Sequence, residues 1–262
     1  MAKPGGKQKM TIHRIARYGW IPDLPDHRDL LYSAPVTHLR ALPTSVDLRS
    51  KCPPVYDQGQ LGSCTANAIG AAIEFTESPQ VMPSRLFIYY NEREIEGAVD
   101  RDSGAQIRDG VKSVATQGVC PESMWPYDPS PYPPNPVLTK KPPAACYTAA
   151  LKNRIKDYHR VPRSLVQMKA CLASNYPFVI GFTVYESFES ATVAKTGVMN
   201  LPVSGESAIG GHAVLVVGYD DKTSRFLVRN SWGTGWGMKG YFTMPYAYLL
   251  DDGLSDDVWT IR

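Results

Sequence analysis

Nine prolines fall between Pro121 and Pro143, in a stretch that includes "YDPSPYPPNP". Proline has no N–H to give to a helix or sheet ladder, and its ring fixes φ near about −65°. No regular helix or central strand fits such a segment, which must run as an extended connection. It parts two textures. Before it, "TANAIGAAIEF" predicts a buried helix from Ser63 to about Glu77, small on every side and stopped at Ser78 and Pro79. Further helices are expected over 83–97, where Leu86, Tyr89, Tyr90 and Arg93 recur at helical spacing, and over 103–118, closed by Gly118. After it, "RIKDYHRV", "PFVIGFTVY", "HAVLVVGYD", "RFLVRNSW" and "GYFTMP" are β-branched and aromatic runs bounded by Gly, Pro and Asp, with one helix over 164–174. A helical half followed by a β half predicts an α+β fold, with ligands taken in the cleft between the halves.

The 262 residues, 43% hydrophobic, suffice for one large domain or two modest ones sharing an interface. A net charge of +3 is too small to require nucleic acid as a partner. Residues 1–41 read as an extended arm, basic at first, with five Lys or Arg before Asp23, and then rich in turn formers. The arm lacks the apolar run of a secretory signal, and even "GGHAVLVVGYDD" falls short of the roughly 18 apolar residues of a membrane span. A protein with no membrane span is expected, cytoplasmic or exported by a route other than Sec. Cys52, Cys64, Cys120, Cys146 and Cys171 stand singly, with neither CxxC nor HExxH in the chain. That spacing predicts a mostly reduced chain and no metal site.

One thiol has a particular setting. The stretch "VYDQGQLGSCTANAIGAAIEF", Val55 to Phe75, is a polar, glycine-punctuated approach that runs through Cys64 into the first expected helix. A thiol attacks only as thiolate, and the unpaired N–H groups and dipole at a helix start favour that anion. Taken alone, Cys64 also reads as a small residue filling space at a helix start. Thiolate chemistry needs a base, and His212 in "GGHAVLVVGYDD" opens a strand behind two glycines, where another chain can approach closely. His13, His27, His38 and His159 lie in the arm or in charged contexts. Asn230 ends a strand in "LVRNSWGTGWGMKGYF", where its amide can orient an imidazole while Trp232 keeps water from that bond. Gln58, six residues before Cys64, can place an amide beside the Cys64 N–H as an oxyanion hole. Gly235, Gly237 and Gly240 spell GxGxxG, but a strand follows and no βαβ unit surrounds them, which argues against a dinucleotide site.

"QGQLGSC", "GGHAVLVVGY" and "NSWGTGWGMKGYF", in that order, resemble the active-site blocks of the papain-like cysteine peptidases. The likeness begins at "LPTSVDLRS", which resembles the start of a mature domain of that family, and runs to about Met244. "PSRLFIYYNER", "DSGAQIRDGVKS" and "GVCPESMWPYD" further resemble bacterial members. The resemblance implies a two-lobed peptidase domain over 42–262, with a helical left lobe at about 50–145, a β-barrel-like right lobe at about 146–262 and the active-site cleft between them. It implies Cys64 as nucleophile, His212 as general acid and base, Asn230 as the group orienting the imidazole and Gln58 as oxyanion donor, with no metal or organic cofactor. Trp232 would shield the His–Asn bond. The backbone of Ser103 and Gly104 would pair with an extended peptide on one side and Gly211 on the other, with Ala213 walling the pocket for the second residue before the scissile bond and Tyr246 and Leu250 at its floor. A cysteine pKa of about 3 to 4, as in papain, implies a bell-shaped rate profile from weakly acidic to neutral pH.

This sequence departs from the family where Leu61 replaces the cysteine three residues before the nucleophile, and where Thr65 replaces the tryptophan after it. The expected function is a monomeric cysteine endopeptidase that cleaves protein or peptide substrates through a Cys64 acyl-enzyme. Two other readings use the same residues: an acyl transferase or peptide ligase, and a non-catalytic peptide-binding module. The arm is far shorter than the family's usual propeptide and lacks its long helix. Its stretch "YGWIPDLPDHRDLLY" (18–32) is read either as an inhibitory pro-segment across the cleft or as a tail covering the surface.

Overall fold

The computed structural model describes residues 18–36, 39, 41–76 and 81–262. The basic start of the arm with His13, as well as His38 and the helix stop at Ser78 and Pro79, lies outside them. Helix α1, Cys64–Thr76, runs through the middle of the molecule, and every residue from Cys64 to Phe75 is buried. A helix enclosed on all sides must be small or apolar all round, which is the role of Ala66, Ala68, Gly70, Ala71 and Ala72. Helices α2, Arg85–Ile95, and α3, Ile107–Thr116, pack against it. Gly110 of α3 permits the close approach, since a Cβ there would stand 2.3 Å from Ile69 Cδ1.

Both of these helices are shorter than their sequence pattern. Ser84 caps α2, its Oγ accepting the Phe87 N–H at 3.2 Å, so Pro83 stays outside. Strand β3, Ala105–Gln106, takes the residues before α3. Residues 121–143 form neither helix nor strand, as their prolines require. A helix over Ala144–Ala150, α4, follows them and has no counterpart among the expected elements.

The second half builds an antiparallel sheet in the order β4 (Tyr158–Arg160), β9 (Ser255–Ile261), β5 (Phe178–Tyr185), β6 (Ala208–Asp220), β7 (Arg225–Arg229), β8 (Tyr241–Pro245). The short helix Leu165–Ala173, α5, packs on β6. Strand β9 is absent from the sequence reading because Asp256 and Asp257 break its apolar run. Strand β2, Ser45–Asp47, pairs with Asp220 to Gly218 of β6, so the chain enters the sheet before it builds the helices. The result is the α+β, two-part architecture expected, with α1 packed on β6 where the parts meet. Among the described residues no helix is long and apolar enough to cross a membrane.

Two registers position the chemistry. Strands β5 and β6 set Phe182 opposite His212 and Gly181 opposite Ala213, while β6 and β7 set Leu215 opposite Arg229. The start of β6 and the end of β7 therefore converge beside the first residue of α1. The arm reaches the same place. Its strand β1, Trp20–Ile21, pairs in parallel with β3. Further on, Leu30 and Tyr32 exchange backbone hydrogen bonds with Arg160, each 2.8 Å, and Tyr32 and Ala34 are buried.

Candidate active site

The approach to α1 is held by a series of hydrogen bonds. Gln58 N–H donates to Ser231 O at 2.9 Å, Gln58 Nε2 donates to Leu61 O at 2.9 Å, and Ser231 Oγ donates to Gln58 Oε1 at 2.6 Å. An amide nitrogen carries two hydrogens, so the bond to Leu61 leaves Gln58 a second donor. Gly59 turns the loop at φ +59°, with Pro129 where a side chain would lie. Tyr127 donates to Gln58 O at 2.9 Å and lies 2.5 Å from Ser63 Oγ. The loop thus delivers Cys64, buried, as the first residue of α1, and none of the five cysteines forms a disulfide.

His212 is buried at the start of β6, its ring edge-on to Phe182 and tilted over Trp232 with centroids 5.0 Å apart. Its Nε2 lies 2.8 Å from Asn230 Oδ1, which also accepts the Ser231 N–H at 2.8 Å. An oxygen acceptor at that distance calls for Nε2–H, which leaves the ring's basic lone pair on Nδ1. Trp232 in turn packs on Phe188 and Trp236, an aromatic wall that keeps water from the His–Asn bond. The GxGxxG glycines close the turn between β7 and β8, where Gly240 N–H donates to Trp236 O at 2.7 Å.

The backbone N–H groups of Ala213, next to His212, and of Gly19, from the arm, face the Cys64 sulfur and favour its anion. Gly19 is the only kind of residue that fits: a Cβ would stand 1.6 Å from Gly62 O. Its carbonyl turns away and accepts the Ala105 N–H at 2.8 Å. On either side, the Tyr18 ring lies 6.0 Å from that of His212, with its hydroxyl 2.5 Å from Glu189 Oε1, and the Trp20 indole rests on Gly181 and Gly211. Burial pushes the Cys64 thiol up to about 12, against the pull of the Ala213, Gly19 and Thr65 N–H groups. The low cysteine pKa implied by the family likeness is therefore not the property of this arm-covered state, in which desolvation outweighs the helix start.

Beyond Trp20 the arm is tied by a cluster of charges. Asp257 Oδ2 accepts from Trp20 Nε1 at 2.9 Å and Asp23 N–H at 2.8 Å, while Asp23 accepts from Trp259 Nε1 at 2.9 Å and Arg108 N–H at 3.0 Å. Arg160 reaches Asp256 and Asp257 at 2.9 and 3.1 Å and lies 3.5 Å from Asp29, which pairs with Arg108 at 2.6 Å; Arg163 pairs with Asp256 at 3.1 Å. Burial, followed by the neighbouring Asp23, pushes Asp257 up to about 7; burial also raises Asp23.

Nine of the sequence candidates gather round one cleft: Gln58, Cys64, His212 and Asn230 at its centre, Ser103 and Gly104 on one side, and Gly211, Ala213 and Trp232 on the other. Of the two residues expected at the floor of the pocket for the second residue before the scissile bond, Tyr246 packs on Phe226 and bonds Asp221, and Leu250 is partly exposed; the Trp20 indole meets Gly181, Gly211 and Asp257. The two departures have structural reasons. Leu61 is wholly buried, and Thr65 donates its hydroxyl to the buried Glu92 carboxyl at 2.8 Å, a group that burial holds well above the usual carboxylate range. Sequence reasoning also missed Asp102 and Tyr89, although Asp102 stands directly before Ser103 and Gly104.

Fold and site together define a two-lobed thiol peptidase. The model of the papain family cysteine proteases matches residues 42–250. Among curated proteins, an uncharacterized peptidase C1-like protein of Acanthamoeba polyphaga mimivirus is 40% identical over 283 aligned positions, covering 97% of this chain and 89% of its own. Among solved structures, xylellain, a cysteine protease from Xylella fastidiosa, is 46% identical with a TM-score of 0.88, covering 99% of each chain. Digestive procathepsin L 3 of Tenebrio molitor, 20% identical with a TM-score of 0.69 over 90% of this chain and 74% of its own, shares the fold. The chain belongs to the papain family and is a papain-like cysteine endopeptidase.

Proposed function

We propose that Cys64 is the nucleophile of a peptide hydrolase that its own N-terminal arm keeps latent, with the arm (1–41) set apart from the two lobes that meet near residue 145. His212 takes the thiol proton at Nδ1 and returns it to the leaving amine, Asn230 fixes the ring, and Gln58 and the Cys64 N–H hold the oxyanion. Water then releases the acyl group. The observation that carries this reading is the Asn230–His212 bond at the start of β6, where the Ala213 backbone faces the Cys64 sulfur. Latency is supported by Gly19, which offers the sulfur an N–H in place of an electrophilic carbonyl.

An electrophilic epoxide tests the first part. Stoichiometric labelling at Cys64 together with peptide hydrolysis is expected, and both vanish in Cys64→Ala. Labelling without hydrolysis of any peptide library would overturn the hydrolase.

The arm's anchor has a pH dependence with a definite sign. Asp23, Asp29, Asp256 and Asp257 face Arg108, Arg160 and Arg163, one carboxylate in excess, and Asp257 is raised to about 7 while the arm is seated. When the arm leaves, Asp257 loses Asp23 and gains water, so its pKa falls back; the seated state therefore binds the extra proton. Seating is favoured below the raised value and is lost as pH rises through about 7. In Cys64→Ala protein, limited proteolysis of the arm should accelerate from pH 6 to pH 8 relative to an unstructured reference peptide, and Asp257→Asn should flatten the change. Equal rates at the two pH values would refute the coupling.

A further inference from the structure

Asp102 lies immediately before the Ser103–Gly104 edge and is buried. Its two oxygens accept one N–H, that of Gly62, at 3.2 and 3.0 Å. Gly62 is two residues from Cys64, on the loop that carries the nucleophile. The hydroxyl of Tyr89, on α2, donates to Asp102 Oδ1 at 2.5 Å and accepts the Gly104 N–H at 3.0 Å. Gly104, at φ +75°, precedes Ala105, whose N–H holds the backbone oxygen of Gly19 in the cleft. One carboxylate is therefore bonded directly to the loop that carries the nucleophile and, through a single hydroxyl, to the Gly104 edge of the cleft.

The support behind this bridge is rigid. Tyr89 is buried, and the Arg93 guanidinium stands 4.2 Å over its ring, while Arg93 donates to Tyr89 O at 3.1 Å, Arg101 O at 2.9 Å and Leu138 O at 2.7 Å. Asp102 thus faces a buried positive charge across the ring. A carboxylate only accepts, so it takes the Gly62 N–H and the Tyr89 hydroxyl at once. A cleft that hydrolyses an extended peptide must hold its backbone at one edge while its carbonyl meets the sulfur at the centre, and misplacement of about 1 Å costs up to about 100-fold.

We propose that Asp102 is a positioning residue for peptide hydrolysis, setting the spacing between the Gly104 edge that takes an extended peptide and the Gly62 loop that carries Cys64. The proposal rests on the hydrolase reading above. A peptide uses both the Gly104 edge and the Cys64 loop. A small thiol reagent such as iodoacetamide needs only the Cys64 loop. The ratio of kcat/KM for an extended peptide to the rate constant for Cys64 alkylation therefore reports the spacing alone, because occupancy of the cleft by the arm scales both rates alike and drops out.

That ratio is to be measured in the full chain and in Asp102→Ala, Asp102→Asn and Tyr89→Phe. Asp102→Ala leaves the Gly62 N–H and the Tyr89 hydroxyl without an acceptor, and the ratio should fall about tenfold. Asp102→Asn keeps one acceptor oxygen and should bring the ratio back to within about threefold of the parent. Tyr89→Phe cuts the link to Gly104 but spares Gly62, and the ratio should fall there too, so the test survives a failure of the alanine variant to fold. An unchanged ratio in all folded variants, whatever happens to the separate rates, overturns the proposal, as does an unchanged ratio in Tyr89→Phe alone. If the parent chain is alkylated but hydrolyses nothing, the hydrolase reading falls separately. Asp102 is then judged by how well a peptide protects Cys64 from iodoacetamide: protection about tenfold weaker in the variants upholds the bridge between the Gly104 edge and the Cys64 loop, and equal protection refutes it.

Discussion

Replacing His212 by alanine is expected to lower kcat/KM for a peptide by about 10²- to 10⁴-fold at neutral pH, the usual contribution of a positioned acid and base. Two losses combine. The leaving amine must be protonated, and His212 Nδ1 is the basic atom left once Nε2 is committed to Asn230 at 2.8 Å. The thiol must also be ionised. When the arm withdraws, Cys64 sheds the burial that holds it at about 12, keeps the Ala213 and Thr65 N–H groups and the start of α1, and gains an imidazolium beside it. Without His212 the thiol should return toward the ordinary value of about 8.5.

The second loss separates a base from a structural histidine. In arm-released protein, the rate of Cys64 alkylation against pH should show its midpoint well below that of the same protein carrying His212→Ala. Coincident midpoints would mean that His212 does not ionise the thiol. Asn230→Ala should lose less, because it frees the ring to rotate but removes no proton carrier.

The fold was legible where a segment's own chemistry decides its form. The small-residue run of α1, the prolines of 121–143 and the β-branched runs of β5 to β8 each admit one structure, and the structure has it. Strand β9 was not legible, because Asp256 and Asp257 look like loop until Arg160 and the arm's Trp20 are seen to pair with them. The short helices over 144–150 and 246–250 fall below the length at which a period can be counted. At the site, residues defined by a local block could be found: a cysteine at a helix start, a histidine behind two glycines. Asp102 and Tyr89 could not, since their meaning lies in two backbone N–H groups that come together only in the fold. The thiol's state was also hidden. A local reading sees the helix start that favours the anion, and only the seated arm reveals the burial that opposes it.

Trp20→Ala is the second large expectation: epoxide labelling of Cys64 should speed up by about 30- to 100-fold. The indole fills a pocket against Gly181 and Gly211 and donates to Asp257 at 2.9 Å. Burial of such a side chain is worth about 2 to 3 kcal/mol, and at about 1.4 kcal/mol per decade that energy converts to the stated factor. It does so only if the arm must leave before reagent reaches the sulfur, since the measured rate then scales with the open fraction. The rest of the arm stays anchored through Tyr32, Ala34 and the Arg160 pairs, so the fold is spared in a way that deletion of residues 1–41 would not spare it. Gly19→Ala reaches the same end by a different route: its methyl would overlap Gly62 O and expel the segment without touching the pocket. An effect shared by both variants identifies displacement of the arm as the cause. Labelling at the parent rate in both would mean that the arm rests on the cleft without closing it.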